Sequence, residues 1–86
     1  MHKVYVLISA DGSSYIGYTS NLRKRMEEHG RGEVPSTRGK EWRLAYYEAY
    51  FSKADACRRE RRLKDARART ELMRRIEESM SELFPT

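Results

Sequence analysis

The chain opens with an apolar pattern that predicts a β-hairpin. Residues 3–9 are rich in Val, Tyr, Leu and Ile, a composition typical of a strand. Residues 10–13 contain an Asp-Gly pair, which is a strong signal for a tight turn. Residues 14–18 predict the returning strand, so this segment predicts two antiparallel strands joined by a short turn.

A short helix is predicted next. Residues 19–21 read Thr-Ser-Asn and offer several N-cap candidates for a helix over about residues 20–29. Leu22 and Met26 fall on one face of this helix, and Gly30 is a suitable C-terminal stop.

A loop and a third strand follow. Residues 31–40 combine Gly, Pro, Ser and Thr with three basic residues and predict a loop. Residues 42–51 are rich in aromatic side chains and predict a strand, although Glu48 and the neighbouring alanines weaken its second half.

Two helices are predicted in the rest of the chain. Ser52 is an N-cap candidate for a helix that runs to about Lys64, and Asp55 stands where a capping box places its acidic partner. A third helix is predicted over about residues 70–83, and its apolar stripe repeats every four positions: Leu72, Ile76 and Met80.

The order strand, strand, helix, strand, helix, helix predicts an α/β protein of the α+β type, in which helices flank a small three-stranded antiparallel sheet. No internal repeat, low-complexity segment or linker interrupts the pattern. Residues 1–86 are therefore expected to form one domain, with its motif-bearing core at about 3–64 and its C-terminal helix at about 70–83.

The charge balance favours a polyanionic partner. Eighteen Lys and Arg against thirteen Asp and Glu give a net charge of +5 and a pI of about 9.6. Net charge alone is equally compatible with ordinary solubility, but its distribution is uneven. Residues 58–69 hold seven basic and two acidic side chains, mostly Arg, whose planar fork suits phosphate oxygens. Nucleic acid is the first candidate partner.

Several classes of protein and site are disfavoured. The apolar run at residues 4–8 is too short to cross a membrane, so no membrane partner is expected. A single cysteine, Cys57, allows no internal disulfide, which fits a reducing, cytoplasmic location, nucleoid-associated if the source is bacterial. No Gly-rich phosphate loop, zinc-ligand spacing or Ser-His-Asp set is present.

Two pairs of residues could carry chemistry. Tyr5 and Tyr15 lie on the two strands of the hairpin at similar distances from its turn, and cross-strand neighbours can share a site. Arg25 and His29 lie four residues apart on one helical face, where an arginine can bind phosphate and a histidine can transfer protons. Ordinary strand aromatics and a solvated polar helix face remain the alternatives.

Glu60 is an acidic residue in an unexpected place. Ala56, Glu60 and Leu63 follow the i, i+4, i+7 spacing of a core-facing stripe, so Glu60 falls at or beside that stripe. An unpaired buried carboxylate is costly. Metal coordination and a salt bridge to an arginine are both open as the reason for its position.

Together these residues resemble the GIY-YIG nuclease family over about residues 3–64. Tyr15-Ile16-Gly17 matches the second half of the family motif literally, and Val4-Tyr5-Val6 keeps the tyrosine of the first half. Residues 18–29 are similar to the segment that follows in the family, with Arg and His four positions apart. Residues 56–64 resemble the later helix that carries its acidic metal ligand. Within the family, the sequence resembles the small single-domain bacterial members, which are similar to the catalytic subunit of structure-selective endonucleases.

The resemblance implies an active site of five residues: Tyr5, Tyr15, Arg25, His29 and Glu60. It implies one divalent cation, Mg²⁺ or Mn²⁺, held by Glu60 and completed by water and phosphate. Arg25 would neutralise charge on the phosphoryl oxygens. One tyrosine, with Tyr5 favoured, would accept a proton from the attacking water, which requires nearby cations to lower its pKa. Tyr15 and His29 would orient water and phosphate or relay protons.

Supporting roles are expected elsewhere. Gly17 is expected to permit close backbone packing near the site. Contacts to the nucleic-acid backbone are expected from six residues: Thr19, Arg23, Arg38, Lys40, Arg61 and Lys64. Thr19 is also a helix-cap candidate, Lys64 could instead pair with Glu60, and Thr37 lies in the same basic loop as Arg38 and Lys40.

The leading hypothesis is a metal-dependent endonuclease that hydrolyses DNA phosphodiester bonds, with selectivity for branched or damaged structures in repair or recombination. A basic helix would give such a protein salt-sensitive, sequence-independent affinity. A catalytically weak nucleic-acid-binding module and a nuclease subunit targeted by a protein partner are the alternatives, and RNA stays open as a substrate.

Overall fold

The computed structural model describes residues 1–85, which contain one three-stranded antiparallel sheet and four helices. The strands are β1 (His2–Ser9), β2 (Ser14–Thr19) and β3 (Trp42–Tyr50), arranged in the order β2-β1-β3. The α+β prediction is confirmed, with one helix more than expected. Thr86, the last residue of the predicted domain, lies outside the described residues.

The four helices follow the order of the chain. They are α1 (Leu22–Gly30), α2 (Lys53–Arg62), α3 (Ala66–Arg75) and α4 (Glu77–Leu83). None of the helices in residues 1–85 is long and apolar enough to cross a membrane.

β1 and β2 form the predicted hairpin. The Ser9 amide donates to the Ser13 carbonyl at 3.0 Å, and the Asp11 carboxylate accepts from the Ser13 amide at 2.9 Å. Gly12 has a φ of 85°, a left-handed conformation that glycine adopts without strain. The Asp-Gly pair therefore marks the turn because its glycine supplies this conformation.

The register of the hairpin places the two candidate tyrosines diagonally. Tyr5 pairs with Gly17, whereas Tyr15 pairs with Leu7. Direct partners in an antiparallel pair project to the same face of the sheet, so all four residues share one face. We call this the tyrosine face.

The opposite face of the sheet carries the hydrophobic core. Successive strand residues point to opposite sides, so Val4, Val6 and Ile8 project away from the tyrosine face. They pack with Ile16 and with four buried residues of the helical segments: Ala56, Leu63, Leu72 and Ile76. Helices α2 and α3 therefore cover the core face, which leaves the tyrosine face to α1 and the loop that follows it.

α1 is fixed at its start by a side-chain cap. Asn21 is the N-cap residue, and its side chain accepts a hydrogen bond from the Lys24 amide at 3.1 Å. Thr19 instead closes a turn with Asn21, because its hydroxyl oxygen accepts from the Asn21 amide at 3.1 Å. The helix ends at Gly30, and the chain then turns through Gly32 at a φ of 71°.

The predicted capping box of α2 is wrong. Ser52 occupies the N-cap position, but its side chain makes no capping hydrogen bond. The Asp55 carboxylate accepts a hydrogen bond from the Arg58 guanidinium at 3.0 Å, one turn further along the helix. That ion pair engages the carboxylate that a capping box would have directed back to the helix start.

Glu48 joins β3 to α2. The Nε and Nη2 atoms of Arg59 donate to the two carboxylate oxygens of Glu48, each at 2.9 Å. The Tyr46 hydroxyl donates to Glu48 at 2.8 Å, and the Tyr50 hydroxyl also donates to it. Glu48 therefore does not weaken the strand, because its charge is fully paired on the core side of the sheet.

The single C-terminal helix predicted over residues 70–83 is two helices. α3 ends and α4 begins at Ile76, whose φ of −107° and ψ of 20° depart from helical values. Ile76 is buried, and the bend lets α4 pack against β3. An apolar stripe with a period of four drifts around a helix of 3.6 residues per turn, so one straight helix does not bury the whole stripe.

Candidate active site

Tyr5 lies at the centre of the tyrosine face and packs directly over Gly17. Its exposed fraction is 0%. A Cβ atom at position 17 would lie 2.4 Å from the Tyr5 hydroxyl oxygen and 2.5 Å from its Cζ atom. Those distances are shorter than any ordinary contact, so glycine at this position is what allows the phenol to cross β2.

His29 fixes the Tyr5 hydroxyl from the last turn of α1. Its Nε2 atom lies 2.8 Å from the Tyr5 hydroxyl oxygen, and its Nδ1 atom lies 2.7 Å from the Thr37 hydroxyl oxygen. His29 and Thr37 are both buried. The imidazole is therefore held between the strand tyrosine and the loop that follows α1.

The hydrogen bonds assign one arrangement of protons. The Thr37 hydroxyl donates to the Val34 carbonyl at 3.4 Å, so it accepts from the Nδ1–H group of His29. The Nε2 atom of a neutral imidazole then accepts the hydroxyl proton of Tyr5. The Tyr5 oxygen in turn accepts from the Arg25 Nε–H group at 3.4 Å. We call this series the relay chain.

The electrostatics keep the His29 and Tyr5 side chains of the relay chain neutral. Burial, together with the nearby Arg25 cation, lowers the pKa of His29 below its usual value of 6.5. Burial raises the pKa of Tyr5, and the hydrogen bond from Arg25 offsets this only in part. The expectation that nearby cations lower the Tyr5 pKa is not met here, because desolvation outweighs the arginine.

Arg25 and Tyr15 are the accessible members of the group. Arg25 pairs with Glu28 at 3.1 Å, and about a third of its side chain is exposed. The partly exposed ring of Tyr15 lies edge-on to His29, with centroids 5.4 Å apart, and 6.3 Å from the Tyr5 ring. Four of the five residues predicted for the active site therefore meet on the tyrosine face.

Comparison with known proteins decides the family. A model of the GIY-YIG catalytic domain matches residues 1–74. The chain belongs to the GIY-YIG family. The resemblance found in the sequence motifs is thereby confirmed, and the chain is a predicted GIY-YIG endonuclease.

Relatives of this GIY-YIG protein cover most of its length. A UPF0213 protein of Halobacterium salinarum is 41% identical over 76 residues, which are 85% of this chain and 99% of that protein. A UPF0213 protein of Natronomonas pharaonis is 42% identical over 81% of this chain and 86% of that protein. The solution NMR structure of a UPF0213 protein from Bacillus halodurans is similar, with a TM-score of 0.59 and 34% identity, over 99% of this chain and 98% of that one.

The fifth predicted residue, Glu60, lies outside the relay chain. It projects from α2, with 27% of its side chain exposed, and pairs with Lys64 at 3.3 Å rather than with an arginine. The Lys64 ammonium also donates to the Ile16 carbonyl at 3.3 Å. Since β2 is an edge strand, the contact with the Ile16 carbonyl places this ion pair beside the outer edge of the sheet, at the level of Tyr15 and Gly17.

Glu60 fits a divalent cation that keeps most of its water. GIY-YIG nucleases generally use divalent metal ions. Within residues 1–85, no three His, Cys, Asp or Glu side chains group together as a ready-made protein cage. Magnesium, however, is commonly bound by one or two carboxylates plus water and substrate phosphates. A half-buried carboxylate at the edge of the site suits that mode, with the Lys64 ammonium as its present counter-charge.

The residues expected to bind nucleic acid make no hydrogen bond or ion pair with the cluster of Tyr5, Arg25 and His29 in residues 1–85. Arg23 on α1 and Arg61 on α2 are exposed. In the loop after α1, the Arg38 Nε atom donates to the Gly32 carbonyl at 2.9 Å. The Lys40 ammonium lies 2.7 Å from the Asp11 carboxylate and so ties this loop to the hairpin turn.

Thr37 has a role that its sequence context does not reveal. The basic loop suggests that it faces DNA together with Arg38 and Lys40, but it is 2% exposed and hydrogen-bonded to His29. The Thr37 carbonyl accepts from the Trp42 indole at 2.8 Å, which fixes the loop against β3. The available signal is Val34, an apolar residue one turn earlier that marks where this polar loop folds inward.

Proposed function

We propose that this GIY-YIG protein is a metal-dependent endonuclease that hydrolyses DNA phosphodiester bonds. The relay chain beneath the accessible Arg25 and Tyr15 is the observation that supports this most strongly. Phosphodiester hydrolysis needs a cation to stabilise the phosphoryl oxygens and a route for the proton of the attacking water. The tyrosine face offers both within one cluster.

Arg25 is assigned to the phosphate. Its guanidinium is partly exposed, carries two hydrogen-bonded partners, Tyr5 and Glu28, and is therefore held in one orientation. A guanidinium fixed in this way stabilises negative charge that grows on phosphoryl oxygens with little reorganisation.

The buried and exposed tyrosines are assigned different roles. Because Tyr5 is completely buried, a water that reaches the phosphate meets Tyr15 first, so Tyr15 is assigned to orienting that water. As the water attacks, the Tyr15 hydroxyl takes its proton and passes its own proton to the buried Tyr5 oxygen, while the Tyr5 proton moves to Nε2 of His29. The water oxygen bonds to phosphorus as the bond from phosphorus to the leaving sugar oxygen breaks. The leaving oxygen takes a proton from solvent water, and the proton removed from the attacking water rests on the imidazole.

Glu60 would hold the divalent cation. When bound, the cation would add electrostatic stabilisation of the phosphate to that from Arg25. Mg²⁺ and Mn²⁺ both suit a single carboxylate with water and phosphate oxygens.

The finer features of the function are proposals of the same kind. We assign the protein to branched or damaged DNA in repair or recombination, because its basic surface supplies affinity without base-specific readout. Such a role would place residues 1–86 at the nucleoid, as one nuclease domain that a protein partner could direct. The alternatives are a nucleic-acid-binding module without catalysis and RNA as the substrate.

A cleavage panel tests the proposal. Labelled single-stranded, duplex, flap and four-way-junction DNA, and matching RNA, are incubated with Mg²⁺, with Mn²⁺ and with chelator. The proteins are the wild type, Glu60→Gln, and Glu71→Gln, which removes an exposed carboxylate on α3 as a matched control. We expect metal-dependent cutting of DNA that Glu60→Gln loses and Glu71→Gln retains.

Other outcomes separate the alternatives. Cutting by Glu60→Gln at the wild-type rate would overturn the assignment of the metal to Glu60. If the protein binds DNA but cuts none of it under any condition, the binding module is favoured. Preferential cutting of RNA would make RNA, rather than DNA, the proposed substrate.

A further inference from the structure

The exposed apolar side chains of this protein gather at one corner of the sheet. Within residues 1–85 the large exposed ones are Met1, Tyr47 and Phe51, with exposed fractions of 67%, 51% and 92%. His2 pairs with Tyr50, so Met1 and Phe51 lie at the same end of the β1–β3 pair. Scattered exposed apolar residues need no explanation, but a cluster marks an interaction surface.

This corner belongs to the tyrosine face. Tyr47 is the direct cross-strand partner of Tyr5, so both rings project to the same side of the sheet. The Lys3 ammonium lies 5.7 Å from the centroid of the Tyr47 ring, on the same face. We call Lys3, Tyr47 and Phe51 the aromatic corner.

The fold does not require aromatic rings at these positions. The tyrosines at alternate positions of β3, Tyr46 and Tyr50, turn to the core face and donate hydrogen bonds to Glu48. Tyr47 projects from the other side, and both Tyr47 and Phe51, just beyond the end of β3, remain open to solvent. Their rings therefore add little to the core and leave flat apolar surface exposed beside the relay chain.

We propose that the aromatic corner binds unpaired nucleobases of the DNA strand that enters the active site. The proposal rests on the proposed nuclease function and specifies its substrate class. Nucleobases stack on exposed aromatic rings, and a neighbouring ammonium binds the strand's phosphates. Base-paired, stacked DNA hides the faces of its bases, so this surface selects single-stranded segments such as flaps or frayed ends.

Charge and position favour a nucleic acid over a protein as the occupant. A cation lies over one of the two rings, and the chain as a whole carries +5. Tyr47 is also the cross-strand neighbour of Tyr5, so the corner lies next to the candidate active site on the same face of the sheet.

Affinity measurements without cleavage test this proposal. Fluorescence anisotropy in chelator is recorded with a labelled single-stranded oligonucleotide, with a blunt duplex, and with an abasic strand that keeps the phosphates but lacks bases. The ring-deleting variants are Tyr47→Leu and Phe51→Leu. Their matched controls, Tyr47→Phe and Phe51→Tyr, keep an aromatic ring at each position.

Stacking predicts a specific pattern. The two leucine variants bind the single strand at least fivefold more weakly than the wild type, whereas the ring-retaining controls stay within twofold. Neither leucine variant loses affinity for the abasic strand, which the wild type already binds weakly. Because both positions are exposed, thermal unfolding of all four variants should match the wild type.

The aromatic corner is rejected if the leucine variants bind the single strand as the wild type does, or if they lose equal affinity for the abasic strand. It is also rejected if sedimentation shows a dimer that Phe51→Leu dissociates, because the corner would then be a contact between two copies. Each result is independent of cleavage. If the protein cuts no DNA but shows the stacking pattern, the proposed nuclease function is contradicted and the base-binding surface is supported.

Discussion

At the scale of single residues, Gly17 decides whether Tyr5 can reach its partners. We predict that Gly17→Ala destabilises the protein by about 1–3 kcal/mol and abolishes cleavage, because the new Cβ atom must displace a buried ring. Tyr5 cannot move away without losing its hydrogen bonds to His29 and Arg25. Urea denaturation and the cleavage assay measure the two effects.

The control for this substitution is Gly30→Ala. A Cβ atom at position 30 would meet no atom within 4 Å, and the residue ends α1 in a helical conformation. Its free energy of unfolding should stay within about 0.5 kcal/mol of the wild type. A loss at Gly30 as large as that at Gly17 would contradict the steric explanation.

His29 should make both stability and cleavage depend on pH. Its pKa is lowered in the folded state, so the unfolded chain binds the proton first as pH falls below about 6.5. The contribution of His29 to stability is therefore present above that pH and lost below it. Urea denaturation at pH 7.5 and 5.5 should show a larger decrease for the wild type than for His29→Gln.

Cleavage should follow the same direction, because the relay chain needs a neutral Nε2 atom to accept the Tyr5 proton. The rate is expected to fall once the pH drops below the lowered pKa of His29. A rate that rises as the pH falls through this range would contradict the proton arrangement of the relay chain.

The sequence predicted which residues form the candidate site better than it predicted the surroundings of each side chain. Hairpin spacing and the i, i+4 rule paired Tyr5 with Tyr15 and Arg25 with His29, but the resemblance to the GIY-YIG family is what placed all four in one predicted site. The burial of Tyr5 and the contact of Thr37 with His29 depend on how the loop after α1 folds back. No local periodicity encodes that long-range packing.

At the scale of elements, the Glu48–Arg59 pair is predicted to hold α2 on the sheet. Burial opposes the charge on Glu48, but hydrogen bonds from Arg59, Tyr50 and Tyr46 outweigh it and hold its pKa below the usual 4.5. Glu48→Ala would leave Arg59 partly buried and unpaired, which should lower the free energy of unfolding by about 3 kcal/mol. Urea denaturation tests this, with the exposed Glu41→Ala as the near-neutral control.

The same carboxylate sets a direction for acid unfolding. Because its folded-state pKa is depressed, Glu48 contributes stability above about pH 4.5 that is lost as the pH falls through the folded-state value. Glu48→Ala should therefore flatten this part of the stability profile, and an unchanged profile would contradict the pairing.

Element boundaries show what periodicity can and cannot predict. The three strands and the first two helices were predictable from their apolar and aromatic patterns together with the turn and cap residues between them. The break at Ile76 was not, since Arg74-Arg75-Ile76-Glu77-Glu78 contains neither Gly nor Pro. The break accompanies the packing of α4 against β3.

At the scale of the whole molecule, the net charge of +5 predicts DNA affinity that falls steeply with salt. Arg61 is exposed on α2 next to Glu60, so Arg61→Ala should reduce the slope of log K against log salt by about 0.9 on duplex DNA. Arg74→Ala, on α3, is the matched control and should leave the slope unchanged. Equal slopes for the wild type and both variants would show that Arg61 does not contact the DNA phosphates.

The central claim is that the hydroxyl of Tyr5 takes part in cutting DNA. The most direct test is the initial rate of cleavage of a labelled flap substrate in Mg²⁺ by the wild type, Tyr5→Phe and Tyr46→Phe. Tyr46→Phe also removes one hydrogen-bonded hydroxyl, but on the core face. We predict that Tyr5→Phe lowers the rate about 100-fold or more while Tyr46→Phe stays near the wild type. Equal rates for Tyr5→Phe and the wild type would contradict the claim.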